Sequence, residues 1–354
     1  MRAGVVVSAQ PGVEELAVQA EELGLDSFWV NDTPMVHGDP FVALSLCARV
    51  TSRIRLGIGV TSPALRSAPA AASGLASLNA LAPGRILCGV GTGNTARRTL
   101  GMRPVTVAGL EDFTAALQDL CAGRSTEYRE GDRVRDIRFL HAGAQVNTAD
   151  PIEFVVAALG PRAAAVAGRR GTGLASFGLL DPAAWHALHD ARRHAAQDTR
   201  RAGGSRTDSY LVTSLHLLAE DDDPHGDAAR DATGHLVLSL LAFAADTAAE
   251  NPAFVEQLGP DEREAVRRLL VRRGTTATAP DRHTKLYPNY LGRIAPQDRD
   301  LVLPSLMNAL ALVGTRDDLL VRIATLEQAG IDELLIQPVI DPPAEMAQLA
   351  KLLA

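Results

Sequence analysis

Short apolar runs alternate with amphipathic stretches along almost the whole chain, and this alternation restricts the fold more than any other feature. Residues 5–8 form a β-branched run. The apolar positions that follow, Val13, Leu16, Ala17, Ala20 and Leu23, are spaced three or four apart, as on one helix face. Gly24 stops that helix at its C′ position. The pattern then repeats, with strands over 28–30, 54–60, 86–90, 154–157, 174–177, 211–218 and 333–337. Helices are expected over 41–48, 70–81, 110–121, 163–167, 183–195 and 317–328. Strands joined through helices run parallel with right-handed crossovers. Their near-continuous apolar character suits a sheet buried on both faces. Eight such units predict an α/β fold, a closed (β/α)8 TIM barrel.

The chain reads as a single barrel domain over 1–354 with two insertions. The first, about 124–150, is polar with a short alternating piece at 134–140. The second, about 220–305, separates strand seven from the last helix. It opens with Asp221-Asp222-Asp223-Pro224, carries a helical apolar stretch at 236–245, and ends in a Pro-punctuated segment with His283, Lys285, Tyr287 and Tyr290. Function in such barrels gathers on the loops at the C-terminal ends of the strands. This insertion is therefore expected to form a lid or wall over the active site, with a contact between subunits as a further use. A plain surface excursion is the alternative.

Composition excludes several classes. A net charge of −7 does not provide the basic footprint of a nucleic-acid binder. No run of about 18 apolar residues exists to span a membrane, and the start Met1–Val7 lacks a signal-peptide pattern. A cytoplasmic location is expected. The three cysteines, Cys47, Cys88 and Cys121, are far apart with no CxxC, so neither a disulfide nor structural zinc is expected, and Cys88 reads as a buried small hydrophobe. The histidines show no HxH or HExxH spacing for a metal. His189 and His194 lie in an Arg-rich helix and read as surface residues. No G-x-S-x-G elbow is present.

Working residues of a barrel lie just beyond its strands. That rule selects Asn31-Asp32-Thr33, Thr61-Ser62-Pro63 with Arg66, the run from Gly91 to Gly101, Gly160-Pro161-Arg162, and Gly178. The glycines at 91 and 93, with Asn94, Thr95, Arg97 and Arg98, suit a loop that holds an anion, because backbone N–H groups can approach it closely. The spacing over 89–94 is not the dinucleotide fingerprint, and it follows the fourth strand rather than the first. A tight turn between strand and helix is the alternative. Asp32 has no basic neighbour in sequence. It can receive a hydrogen bond from a ligand, stay protonated if buried, or cap the next helix.

Taken together these segments resemble the bacterial-luciferase-like oxidoreductase superfamily. The similarity runs through Glu21–Asp32, Leu56–Pro63, Ala82–Ile86, Gly89–Asn94, Ala157–Arg162 and Val313–Glu333. The branch most similar is that of the F420-dependent methylenetetrahydromethanopterin reductases. The resemblance implies a barrel that uses the deazaflavin F420 or, as the alternative, FMN. It implies that Asp32 lies near the deazaflavin and that Gly59-Val60, with Thr61 beside it, is a cis-peptide bulge behind the ring. Gly91, Thr92, Gly93, Asn94, Thr95 and Arg98 would contact the cofactor, and Gly160, Pro161 and Arg162 would hold its phosphate.

Two departures stand out. Many F420 enzymes carry His directly after the strand-two acid, where this chain has Thr33. The usual Ala-Gly-x-x-Ala-Asp-Gly run appears as Ala167–Gly173 without its Asp. His283 or solvent would then have to supply the proton. The resemblance implies a hydride transfer between F420 and an organic substrate, such as a natural-product intermediate or a peptide. The alternatives are an FMN-dependent monooxygenase using reduced flavin and O2, or a non-catalytic flavin-binding barrel. It further implies a homodimer and a separate flavin or F420 reductase. With 4% aromatic residues, a pocket of many stacked rings is not expected.

Overall fold

Each of the eight apolar runs becomes a strand in the computed structural model, which describes every residue except 142, 144, 198–206, 257 and 354. The barrel strands are Arg2–Val7, Ser27–Val30, Arg55–Thr61, Ile86–Val90, Glu153–Ala157, Gly173–Phe177, Ser209–Leu217 and Glu333–Ile336. Each runs parallel to its neighbours, and the eighth returns to the first with Arg2 opposite Glu333 and Val5 opposite Ile336. The sheet is therefore closed, as the alternation predicts.

Side-chain alternation along each strand divides the packing into two layers. Phe28, Leu56, Ile58, Cys88 and Val156 face the helices, within the main core. Val6, Trp29, Leu87, Val155, Ala175, Tyr210 and Leu335 point inward and fill the middle of the barrel. A Cβ on Gly57 would come within 2.3 Å of the Trp29 ring, so the third strand needs glycine there to admit the indole. Below this layer, at the N-terminal ends of the strands, lies a buried polar plug. Arg55 pairs with Glu333 and, at 3.2 Å, with Glu153; Ser27 donates to Glu333, and Tyr210 to Glu153. The indole Nε1 of Trp29 donates to Ser27 Oγ at 2.7 Å, which ties the plug to the apolar layer.

The helices start and stop where local chemistry dictates. Asp39 accepts from the backbone N–H groups of Phe41 and Val42 and caps helix Pro40–Val50. Thr315 and Asp318 form a reciprocal capping box at Arg316–Gln328. Gly24, at φ +75°, follows helix Val13–Glu22 as expected. All three cysteines are buried and free. No helix among the described residues is long and apolar enough to cross a membrane.

The insertions hold more structure than the sequence indicates. The polar excursion contains an antiparallel hairpin, Thr126–Glu130 with Arg133–Ile137. The long insertion is helical, built on Asp227–Glu250 and Pro260–Arg272. Its own apolar core includes Val237, Leu241, Leu269 and Met307. Beyond it, Ala311–Gly314 adds a strand beside Ser214–Leu217, and helix Pro342–Leu353 closes the chain. Neither element stands out by periodicity. The surface reading of His189 is corrected. Trp185 and His189 are one turn apart on the inward side of helix Pro182–Gln197, with ring centroids 5.7 Å apart, and His189 packs against Gly330. His194 is exposed.

Candidate active site

Parallel strands in a closed barrel deliver all their C-terminal ends to one mouth. Asn31 and Gln337 extend the inward-facing rows of Trp29 and Leu335, and Thr61 ends the third strand beside them. All three are buried, and Asn31 Nδ2 and Gln337 Oε1 find no hydrogen-bond partner among the described residues. Buried polar groups are nearly always satisfied, by water or ligand where protein groups do not serve, so these atoms are candidate ligand contacts.

Asp32 is 5% exposed and does not cap a helix, since Asp39 has that role. Its Oδ2 accepts from Arg66 Nη1 at 2.7 Å. The other arm of the same guanidinium pairs with Asp39, and its carbon lies 4.5 Å from the Phe41 ring centroid. Burial pushes the Asp32 carboxyl above the usual carboxylate range. Arg66 and the adjacent Thr61 hydroxyl oppose that rise, and Asp39 adds to it. The basic partner that sequence order hides is thus 34 residues away, brought in by the loop after strand three.

The Gly59-Val60 peptide is cis. Val60 is half-buried and turned toward the fourth strand, where a Cβ on Gly89 or Gly91 would lie 2.6 or 2.9 Å from its methyl groups. Gly93 sits at φ +71°, and a Cβ there would meet Ser62 Oγ at 2.6 Å. The glycine spacing therefore serves close packing of loops three and four. Thr92 and Asn94 stay half-buried at the mouth.

The insertion covers this end. Tyr290 shares a 2.8 Å hydrogen bond with Thr95, and the Leu291 carbonyl accepts from Gln337 Nε2 at 3.5 Å. Arg98 is buried, donates to Asn94 Oδ1 at 2.8 Å, and lies 4.0 Å from Asp246 on helix Asp227–Glu250. Asp246 also accepts from Arg282 at 2.6 Å and Tyr287 at 2.7 Å. Thr95 and Arg98 thus join the fourth loop to its roof. Gly160, Pro161 and Arg162 begin helix Pro161–Arg170, where Arg162 is exposed and the space beside Gly160 is open.

His283 is half-buried against Gly101, in the wall beyond the fourth loop. A different histidine, His37, comes to the end of strand one, with Nε2 3.5 Å from Ser8 Oγ. Its backbone N–H donates to the Thr33 carbonyl at 3.0 Å, and burial lowers its pKa, so the ring is neutral near pH 7. Its position one turn after Thr33 was the available signal in the sequence.

Residues 7–333 match the family described as luciferase-like monooxygenase, and the chain belongs to that family of enzymes. The F420-dependent glucose-6-phosphate dehydrogenase of Kineococcus radiotolerans is 36% identical over 243 residues, 63% of this chain and 69% of that protein. The 5,10-methylenetetrahydromethanopterin reductase of Methanolobus tindarius is 24% identical, over 95% of this chain and 92% of its own. Two solved structures share the barrel. An F420-dependent secondary alcohol dehydrogenase with an F420–acetone adduct has TM-score 0.69 at 16% identity, covering 99% and 97% of the two chains. The oxygenating constituent of 3,6-diketocamphane monooxygenase from Pseudomonas putida, with FMN, has TM-score 0.63 at 15% identity, covering 100% and 96%.

Proposed function

We propose that this chain is an F420-dependent oxidoreductase that moves a hydride between the deazaflavin and an organic substrate at the barrel mouth. The supporting observation is the pair of unsatisfied buried atoms on Asn31 and Gln337 beside the Arg66-paired Asp32. They suit a flat heterocycle whose edge carries both carbonyl acceptors and N–H donors. The names of the relatives point the same way. Bound there, the deazaflavin supplies the hydride-carrying carbon, and the protein supplies orientation and electrostatics. Asp32 and Asn31 fix the ring edge, and Val60 backs its face. The Gly91–Asn94 turn and Gly160–Arg162 hold the tail, with Thr95 and Arg98 securing that turn to the roof. Neutral His37 accepts a proton at the mouth in place of the histidine absent at 33. A separate F420 reductase restores the cofactor.

The second reading, an FMN-dependent monooxygenase fed reduced flavin, is favoured by Thr33 in the place of that histidine. Titration with F420 and FMN in both redox states, followed by absorbance and fluorescence quenching, separates the two. Micromolar F420 binding with weak FMN binding is the expected result. Preference for reduced FMN, with a hydroperoxide absorbance on adding O2, transfers the assignment to the monooxygenase.

The chain is also proposed to form a homodimer through helix Pro40–Val50, on which Val42, Leu46 and Val50 make an exposed apolar stripe four residues apart. Leu46→Glu should convert a dimer to a monomer in sedimentation velocity. A native chain that sediments as a monomer at tens of micromolar rules the dimer out.

A further inference from the structure

The insertion encloses a second space behind the roof. A cavity of about 200 Å³ lies between helices Asp227–Glu250 and Pro260–Arg272 and the strip 286–298. It is smaller than the roughly 300–1,000 Å³ of sites for drug-sized ligands. Its wall is largely apolar, with Leu238, Ala242, Leu269, Leu286 and Ile294. Tyr290 and Leu291 of the strip also reach the mouth, so the strip separates the two spaces.

Two residues of this lining each carry a buried side-chain nitrogen that finds no partner among the described residues. His235 is 2% exposed, and its Nε2 lies 2.9 Å from the Ser214 hydroxyl on the seventh strand, while Nδ1 is unpaired. Ser214 is itself buried, and among the described residues His235 Nε2 is the acceptor its hydroxyl finds. The hydroxyl therefore donates to Nε2, which leaves the ring proton on Nδ1 as an unused donor. Burial drives the His235 pKa down to about 3, so the ring stays neutral across the working range. Arg273 places its two terminal nitrogens on Asp298 at 3.3 and 2.7 Å, and its Nε is buried with no acceptor. Arg293, exposed at the rim, pairs with no carboxylate among the described residues. The cavity thus offers N–H donors, surplus positive charge and an apolar wall.

We infer that this cavity is a binding site for a small carboxylate with an apolar body, whose oxygens take the His235 Nδ1–H and Arg273 Nε–H donors while its body lies on the leucine wall. The inference is independent of the cofactor assignment. Its test is ¹⁹F NMR of 4-fluorobenzoate with the intact chain and no added cofactor, with 4-fluorobenzyl alcohol as the neutral control. Saturable binding of the benzoate is expected, weakened about tenfold or more by His235→Leu and by Arg273→Met. Ala242→Leu, which narrows the apolar end while leaving both donors, should weaken it too. Asp32→Asn at the mouth should leave the affinity unchanged. Thermal melts identify which variants fold. No saturation up to about 10 mM, equal binding of the alcohol, loss of binding in Asp32→Asn, or full binding by a folded His235→Leu chain would each overturn the assignment.

Discussion

Asp32→Asn is expected to weaken the F420 complex about tenfold and to cut turnover about a hundredfold, without lowering the melting temperature. The carboxylate is buried at the mouth beside the unsatisfied Asn31 Nδ2, and Asn keeps its shape while removing its charge. The stability half follows from the raised pKa of Asp32. The native chain holds this proton more tightly than the unfolded chain. The stabilisation is therefore complete below the unfolded value of about 3.9 and is lost as pH rises through the folded value. At pH 7 the ionised carboxylate is a net cost that Asn removes, and Arg66 retains Asp39. Arg66→Met should push the Asp32 carboxyl higher still, moving the acid limb of F420 binding to higher pH. Asp32→Asn should abolish that limb. In the same assay His37→Asn should impair turnover more than affinity, and His283→Asn should have little effect on either. Undiminished binding and turnover in Asp32→Asn would reduce Asp32 to a structural counter-ion of Arg66.

The barrel was legible because its cause is local. Each strand is a short apolar run and each helix an apolar stripe, so the eightfold alternation is written residue by residue. The candidate site was legible only in part. Asp32 and the fourth loop follow from their positions after strands, yet the partner of Asp32 lies 34 residues on, and no spacing announces it. The glycines of loop four looked like an anion cradle, while most of their need comes from Val60 and Ser62 on the neighbouring strand and loop. His283 drew notice as a histidine in the Pro-punctuated end of the long insertion, and the chain path sets it against Gly101. The extra strand Ala311–Gly314 is four residues long, and only pairing with Ser214–Leu217 defines it. Long-range contact decides all of these.

The same distinction governs the largest expected loss of stability, which lies at the opposite end of the barrel from the site. Glu333 is fully buried, and it receives Arg55, Ser27 and, at 3.8 Å, Arg2. Desolvation raises its pKa against the pull of Arg55, so the plug is not a source of stability by itself. Breaking it is a different matter. Glu333→Ala leaves Arg55 with Glu153 and Tyr210 but takes the acceptor from its other guanidinium arm and from the Ser27 hydroxyl, and each buried donor so stranded costs about 1–3 kcal/mol. Urea unfolding should show that loss, while the fraction that stays folded binds F420 with unchanged affinity, because the Trp29–Tyr210–Leu335 layer separates the plug from the mouth. The triple variant Arg55→Met, Glu153→Gln and Glu333→Leu should recover most of the stability, since it removes all three charges of the plug and keeps the volume. A loss below about 1 kcal/mol in Glu333→Ala would mean that water reaches Arg55 from below. A triple variant as unstable as the single one would mean that the ion pairs, rather than the filling of the barrel's lower end, hold the eight strands in register.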